Sequence, residues 1–135
     1  MKLALVTLVA FAFVVAGSAL AAPRSATLTI RHQTHGCHSW SLDGKSWSPS
    51  QKLNLAAGGK LTVVDDDVMP HSLLQLSGPK ASVTGAAMKH MGASARLTFS
   101  AKGKYVFTTR AGEDYMKGIK TIGADNVLRL VVTVS

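Results

Sequence analysis

Short stretches in which apolar and polar side chains alternate one by one recur along this chain. This period of two places alternate side chains on opposite faces of an extended strand, whereas a helix repeats its apolar positions every three or four residues. The pattern therefore predicts an all-β protein. The alternating or apolar stretches cover residues 26–31, 53–55, 61–64, 72–76, 95–99, 104–108 and 128–134.

Turn-forming residues separate these stretches, as at Asp43-Gly44, at Gly78-Pro79 and around Gly123. About seven or eight short strands at this spacing are typical of a two-sheet antiparallel β-sandwich with Greek-key connections. We expect one such domain and no second domain. Helical spacing occurs only at residues 86–90, which predicts at most a single short turn of helix.

The N-terminal residues differ in character from the rest of the chain. Lys2 precedes an uncharged run at 3–16, which ends in small residues and an Ala-x-Ala sequence at 19–21. These are the features of a Sec-type secretory signal, and the run is shorter than the about 20 residues of a membrane-spanning helix. We therefore expect residues 1–21 to be a cleaved signal peptide and residues 22–135 to be a periplasmic or secreted domain that meets a membrane only during export.

Composition argues against several classes of protein. The single cysteine, Cys37, excludes an internal disulfide and any zinc site that needs two cysteines. The net charge of +8 is spread thinly, with no Lys/Arg-rich run, so we expect no nucleic-acid partner. The sequence has no G-x-S-x-G or H-E-x-x-H motif and no evident acid–base pair, so we expect no enzyme. A nucleophilic Cys37 beside a histidine is the remaining enzymatic alternative.

Metal-binding side chains concentrate between the predicted strands. Residues 32–38 read His-Gln-Thr-His-Gly-Cys-His, residues 69–71 read Met-Pro-His, and Met116 lies in the loop before the last strand. Imidazole, thiolate and thioether together suit copper better than they suit oxygen-preferring ions. We therefore predict copper as the cofactor, with His35, Cys37 and His71 as the leading ligands.

Ordinary structural roles account for the other residues of this kind. His32 and His90 are interpreted as solvated or hydrogen-bonded side chains, and Met88 and Met91 as packing residues. The acidic run 65–67 is interpreted as a solvated turn, since it lacks the spacing of a calcium-binding loop.

Two segments resemble the cupredoxin family, whose members include plastocyanin and azurin. Residues 61–73 resemble its strand, acidic turn and first copper-binding histidine, which implies that His71 is that ligand. Residues 103–109, with the loop to Gly118, resemble its Gly-x-Tyr-x-Phe strand and C-terminal ligand loop, which implies that Met116 is the axial methionine. The chain departs from the family at Thr109, where a cysteine is expected, and its loop at 111–114 contains no histidine.

The resemblance also implies that the loop after the first strand lies at the same end of the sandwich as the two ligand loops. We hypothesise that the missing ligands have been relocated to that loop, with Glu113 or Met116 as a weak further contact. Which of its histidines bind is left open. The predicted metal ligands are His35, Cys37, His38, His71 and Met116.

Three functions follow from these observations. The favoured one is a one-electron carrier that meets a redox partner protein. The alternative is a copper chaperone or scavenger that exchanges copper with a donor or acceptor protein. The third is a metal-free β-sandwich that binds another protein. We expect a monomer in each case.

Overall fold

A computed structural model describes residues 21–32, 38–111 and 127–135 of the 135-residue chain. These residues form ten strands and no helix, so none of their segments is a helix long and apolar enough to cross a membrane. In chain order the strands are β1 (Ser25–His32), β2 (His38–Ser41), β3 (Ser50–Leu55), β4 (Lys60–Asp65), β5 (His71–Ser77), β6 (Ser82–Thr84), β7 (Ala87–Met88), β8 (Ser94–Thr98), β9 (Gly103–Ala111) and β10 (Arg129–Val134).

The strands form two five-stranded sheets. One has the order β2-β1-β4-β8-β6 and the other the order β3-β10-β9-β5-β7. From β3 to β9, each strand lies in the sheet opposite to that of the preceding strand, so the chain alternates between the two sheets. The prediction of an all-β two-sheet sandwich is confirmed.

The strand pairing is mixed rather than purely antiparallel. β1 pairs with β4 in parallel, and β10 pairs with β3 in parallel, whereas the other paired strands run antiparallel. The parallel pairs join strands that are not consecutive in the chain. Between β1 and β4 the chain passes through β3 in the other sheet, and β4 then runs parallel to β1. Sequence alternation predicts strands but carries no information about this direction.

The core lies between the sheets and contains the inward-facing set of the alternating residues. Trp40 is fully buried and its indole Nε1–H donates to the Pro49 carbonyl over 3.0 Å. Phe99 packs edge to face against Tyr105, with 4.9 Å between ring centroids, and also against Phe107. The seven stretches predicted from alternation all lie in strands, to within one residue at their ends.

The short helical turn predicted at residues 86–90 is wrong. Ala87 and Met88 form strand β7, which pairs with Ser72 and His71 at the start of β5. The Leu73 backbone N–H donates to the Ala86 carbonyl over 2.8 Å. The exposed edge of β5 thus supplies hydrogen bonds that one isolated helical turn cannot match. Met88 is fully buried, in agreement with its interpretation as a packing residue.

One end of the sandwich brings together the ends of several strands. His32 at the end of β1 pairs with His38 at the start of β2, and His71 at the start of β5 pairs with Ala111 at the end of β9. β4 ends there as well, with Asp65 beside Ile30. We call this the imidazole end of the sandwich, because three of the five histidines lie on these strands.

Candidate metal centre

The β1–β2 pair places two histidines side by side. His32 and His38 are cross-strand partners, and their rings meet edge to face with 6.1 Å between centroids. His38 is buried, whereas His32 is exposed. One imidazole therefore faces the interior and its neighbour lies at the surface.

The second sheet contributes a third imidazole to the same place. His71 is buried at the start of β5, and its ring meets that of His38 edge to face with 4.8 Å between centroids. His38 and His71 belong to different sheets, so the contact forms only because the sheets pack with these ends together. The sequence-based expectation that the early histidine segment and the Met-Pro-His segment share one end of the sandwich is met for these two histidines.

A single carboxylate oxygen joins the two buried imidazoles. Asp67 Oδ2 lies 2.8 Å from His38 Nδ1 and 3.1 Å from His71 Nε2. Asp67 Oδ1 accepts the Met69 backbone N–H over 3.1 Å. Burial favours a raised pKa for Asp67, but these hydrogen bonds outweigh it and hold the pKa below its ordinary value. Asp67 is therefore an anion at neutral pH.

A second buried carboxylate lies directly behind Asp67. Asp65 Oδ1 accepts the Asp67 backbone N–H over 3.0 Å, while Asp65 Oδ2 has no hydrogen-bond partner in the described part of the chain. Burial raises the pKa of Asp65. The backbone around Asp65 is bonded to the turn that follows β7: its N–H donates to Ala93 and its carbonyl accepts from Gly92.

The interpretation of residues 65–67 as a solvated turn is wrong for two of the three residues. Asp65 and Asp67 are 0% and 1% exposed, and only Asp66 faces outward, where its carboxylate accepts two hydrogen bonds from Arg31. The signal that finds them is the alternation of β4 itself. Leu61 and Val63 face inward, and the same period of two continues to 65 and 67 beyond the apolar stretch.

The other ring nitrogen of His71 also has a protein partner. His71 Nδ1 lies 3.2 Å from Thr109 Oγ1, on the neighbouring strand β9. Thr109 occupies the position at which the resemblance to the cupredoxins predicts a cysteine. In this structure its hydroxyl lies next to a ring nitrogen of His71.

Two of the five predicted ligands lie among the described residues. His38 and His71 lie together at the imidazole end. His35, Cys37 and Met116, together with Glu113, lie outside the described residues, and so does the predicted signal peptide up to residue 20. Their assignments stay predictions. His32, interpreted as a solvated side chain, is exposed but lies within the cluster, and His90 is exposed with Nδ1 3.0 Å from the Met91 carbonyl.

The donor set at the imidazole end fits a transition-metal ion. His32, His38 and Asp67 can each offer one ligand atom, and these atoms lie within 4.8 Å of one another. Two ligand atoms at about 2.0–2.2 Å from one tetrahedral ion lie about 3.3–3.6 Å apart, so these three side chains would have to move closer together to bind it. Imidazole nitrogen is a good ligand for copper, zinc, iron and nickel. The fold and this cluster define a small all-β sandwich with a candidate metal centre at one end.

Comparison with known proteins adds weak similarities only. No protein-family model and no curated protein matches this chain. Among solved structures, it is similar to a purple cupredoxin from Nitrosopumilus maritimus, with 17% identity, a TM-score of 0.45, and 82% of this chain and 99% of that chain covered. A mutant of amicyanin with Cu(I) gives 14% identity, a TM-score of 0.42, and coverage of 79% and 80%.

The chain has a similar TM-score with the cysteine protease inhibitor EhICP2 from Entamoeba histolytica. It gives 8% identity, a TM-score of 0.44, and coverage of 84% of this chain and 99% of that chain. All of these TM-scores are below 0.5, so these similarities carry no conclusion about the function of this chain.

Proposed function

We propose that this chain is an exported copper protein of the cupredoxin type that carries one electron at a time. The observation that supports this proposal most directly is the contact between His38 and His71, whose ring centroids are 4.8 Å apart although the residues belong to different sheets. Two buried imidazoles beside a buried carboxylate are weak evidence of a stabilising role, because pairing buried ionisable groups often gives no more stability than apolar side chains of similar volume would.

The proposed ligands are the two buried histidines, with Cys37 and His35 from the adjoining loop and Met116 as a weak further donor. Cys37 directly precedes His38 in the chain, so a thiolate is available within one residue of the cluster. Copper in such a set supplies reversible exchange between Cu(I) and Cu(II). The role of this chain's residues is to hold the donors in nearly fixed positions, and both buried rings are held by hydrogen bonds on the protein side.

Copper handling is the second candidate, and the exposure of His32 favours it. An exposed imidazole beside the buried His38 offers an entering or leaving ion a donor at the surface. A copper chaperone or scavenger needs such an accessible donor so that the ion can pass to another protein. A carrier instead benefits from a site that excludes solvent.

Copper loading of the purified protein tests the proposal. Wild type, Cys37→Ser, His38→Ala and the control His90→Ala are titrated with Cu(II) and followed by absorption and EPR spectroscopy. We expect a thiolate-to-copper charge-transfer band in wild type and His90→Ala, its loss in Cys37→Ser, and weaker binding in His38→Ala. Identical spectra for wild type and Cys37→Ser would show that Cys37 is not a ligand.

Two further measurements separate the candidates. A carrier shows a reversible potential and fast electron self-exchange, whereas a handling protein binds Cu(I) tightly and exchanges it with chelators. A metal-free binding module shows neither property, and its thermal midpoint does not move when copper is added, because only a ligand of the native state raises that midpoint.

A further inference from the structure

The outer face of the sheet β3-β10-β9-β5-β7 carries positive charge and no negative charge. Its five strands contain no Asp or Glu. The side chains that point away from the core include four exposed cations, Lys52, Lys104, Arg110 and Arg129. None of the four forms an ion pair with another described residue. We call this surface the basic face.

The four cations cover a broad area. Lys104 and Arg110 lie six residues apart on β9, which is about 20 Å at about 3.4 Å per residue. Lys52 lies two strands away from β9, which is about 10 Å at about 4.8 Å between neighbouring strands. The sequence spreads these residues from position 52 to position 129, and only the sheet brings them onto one face.

Aliphatic side chains lie between the cations of the basic face. Val131 on β10 is the register partner of Lys52 on β3 and of Val106 on β9. Leu74 on β5 is half-buried and faces outward as well. Leu76 lies at the bulge of β5 and is 56% exposed. The basic face therefore combines positive charge with apolar surface.

The outer face of the other sheet differs in both respects. Its unpaired cations are Lys60 and Arg96, whereas Arg31 is paired with Asp66 over 2.8 Å. Serine and threonine occupy most of the remaining outward positions, as they do on β1 and β8. Of the two outer faces, the basic face thus has more unpaired positive charge and more aliphatic surface.

We propose that the basic face binds the anionic phospholipid headgroups of a membrane reversibly. Each Lys or Arg close to an anionic membrane surface contributes to binding largely by its charge, and no shaped pocket is required. The expected export of this domain brings it to such a surface. The inference goes beyond the proposed function and does not require copper.

The composition of the basic face favours a membrane over an acidic protein as the partner. Protein interfaces depend on a few anchors, commonly Trp, Tyr or Arg, that fill pockets of the partner. The outward positions of β3, β5, β9 and β10 hold no aromatic side chain, because Tyr105 and Phe107 face the core. Four cations spread over about 20 Å suit a continuous layer of phosphate groups better than a single anchoring pocket.

The binding is expected to be of moderate strength and sensitive to salt. Each cation near the surface contributes about fivefold to the binding constant, so two of them account for about 25-fold. The Debye length falls from about 10 Å at 0.1 M salt to about 3 Å at 1 M, which screens most of this attraction. The aliphatic side chains between the cations add apolar contact that salt does not remove.

Cosedimentation of the copper-free protein with lipid vesicles tests the proposal. One set of vesicles contains equal parts of phosphatidylglycerol and phosphatidylcholine, and the other contains phosphatidylcholine alone. We expect binding to the anionic vesicles at about 0.1 M salt, most of it lost at about 1 M, and little binding to phosphatidylcholine. Equal binding to both kinds of vesicle would overturn the proposal, since it would assign the contact to apolar residues instead of the four cations.

Two double variants with the same change in charge separate the basic face from net charge. Lys104→Gln/Arg129→Gln removes one Lys and one Arg from the basic face, and Lys60→Gln/Arg96→Gln does the same on the opposite face. We expect the first to weaken binding to anionic vesicles about 10- to 30-fold and the second to weaken it less than about threefold. Equal losses would overturn the proposal, because total charge would then be the cause.

Circular dichroism and the thermal midpoint show whether each variant is folded. If Lys104→Gln/Arg129→Gln is not, Lys52→Gln/Arg110→Gln removes the same charge from the same face and replaces it in the comparison. Absence of binding by the wild-type protein would overturn the proposal. Binding of polyglutamate in place of vesicles, lost in the basic-face variant, would also overturn it and would assign the face to an acidic protein. Copper loading is measured separately, so either proposal can fail without the other.

Discussion

His38 and His71 meet edge to face across one oxygen of Asp67, with their ring centroids 4.8 Å apart. One histidine begins β2 in the first sheet and the other begins β5 in the second, so this contact connects the two layers of the sandwich at the imidazole end. Two buried imidazoles are tolerated there because the carboxylate satisfies a nitrogen on each of them. The same arrangement leaves each ring with one nitrogen directed away from Asp67.

A thiol introduced at position 109 is expected to create a copper–thiolate site. Thr109 Oγ1 lies 3.2 Å from His71 Nδ1, so in Thr109→Cys a sulfur atom replaces the hydroxyl next to that nitrogen. Made in the Cys37→Ser background, this variant should show a thiolate-to-copper charge-transfer band with Cu(II). Thr108→Cys is the control, since the Thr108 hydroxyl instead donates to the Leu128 carbonyl. A band of equal strength in both variants, or in neither, would contradict the prediction.

Asparagine at position 65 is expected to stabilise the protein increasingly as pH rises. Burial raises the pKa of Asp65 above its ordinary value of 3.8, so the folded state holds the proton more tightly than the unfolded state does. Wild-type stability therefore falls as pH rises from 3.8 through the pKa of the folded state, and Asp65→Asn lacks this loss. Urea unfolding of both proteins at about pH 4, 5.5 and 7 measures the difference. A difference that stays constant over this range would contradict the prediction.

Asp43 gives a pH dependence of the opposite sign. The backbone N–H groups of Ser46 and Lys45, followed by the Ser41 hydroxyl, donate to its carboxylate and lower its pKa. Its contribution to stability is present above the ordinary value of 3.8 and is lost as pH falls below it. We expect Asp43→Asn to flatten the acid limb of the stability curve between about pH 4 and about pH 2. Parallel curves for variant and wild type over that interval would contradict this.

Two glycines with similar backbone conformations should differ in their tolerance of alanine. Gly78 (φ +99°) and Gly92 (φ +86°) both lie in the left-handed region, which costs a residue with a Cβ about 1–2 kcal/mol. At Gly78 a Cβ would also collide with the Lys104 carbonyl and lie 2.8 Å from Tyr105 Cα, whereas Gly92 has open space. We expect Gly78→Ala to cost about 1–3 kcal/mol more than Gly92→Ala in denaturant unfolding. Equal costs would mean that the β5–β6 turn moves away from β9 easily.

Much of the sandwich could be predicted because alternation is a local property. Leu28 and Ile30 in β1, or Leu130 and Val132 in β10, reveal their inward face within a few residues of sequence. β6 and β7 have no such signal, since two or three residues are too few to show a period. These short strands form because the edges of β8 and β5 present unpaired backbone groups to them.

The candidate metal centre, too, could be predicted from the sequence only in part. The amino-acid sequence by itself determined which chemical groups are available, namely the imidazoles at positions 32–38 and the histidine after Met69-Pro70. It also determined that these groups lie next to strands. Only the tertiary structure decided that His38 and His71 share Asp67 and that Thr109 contacts the other ring nitrogen of His71. The His38–Asp67 and His71–Thr109 contacts join residues 29 and 38 positions apart in the chain, whereas His71 is only four positions from Asp67. They depend on how two sheets pack and in which direction each strand runs, which no local pattern of side chains encodes.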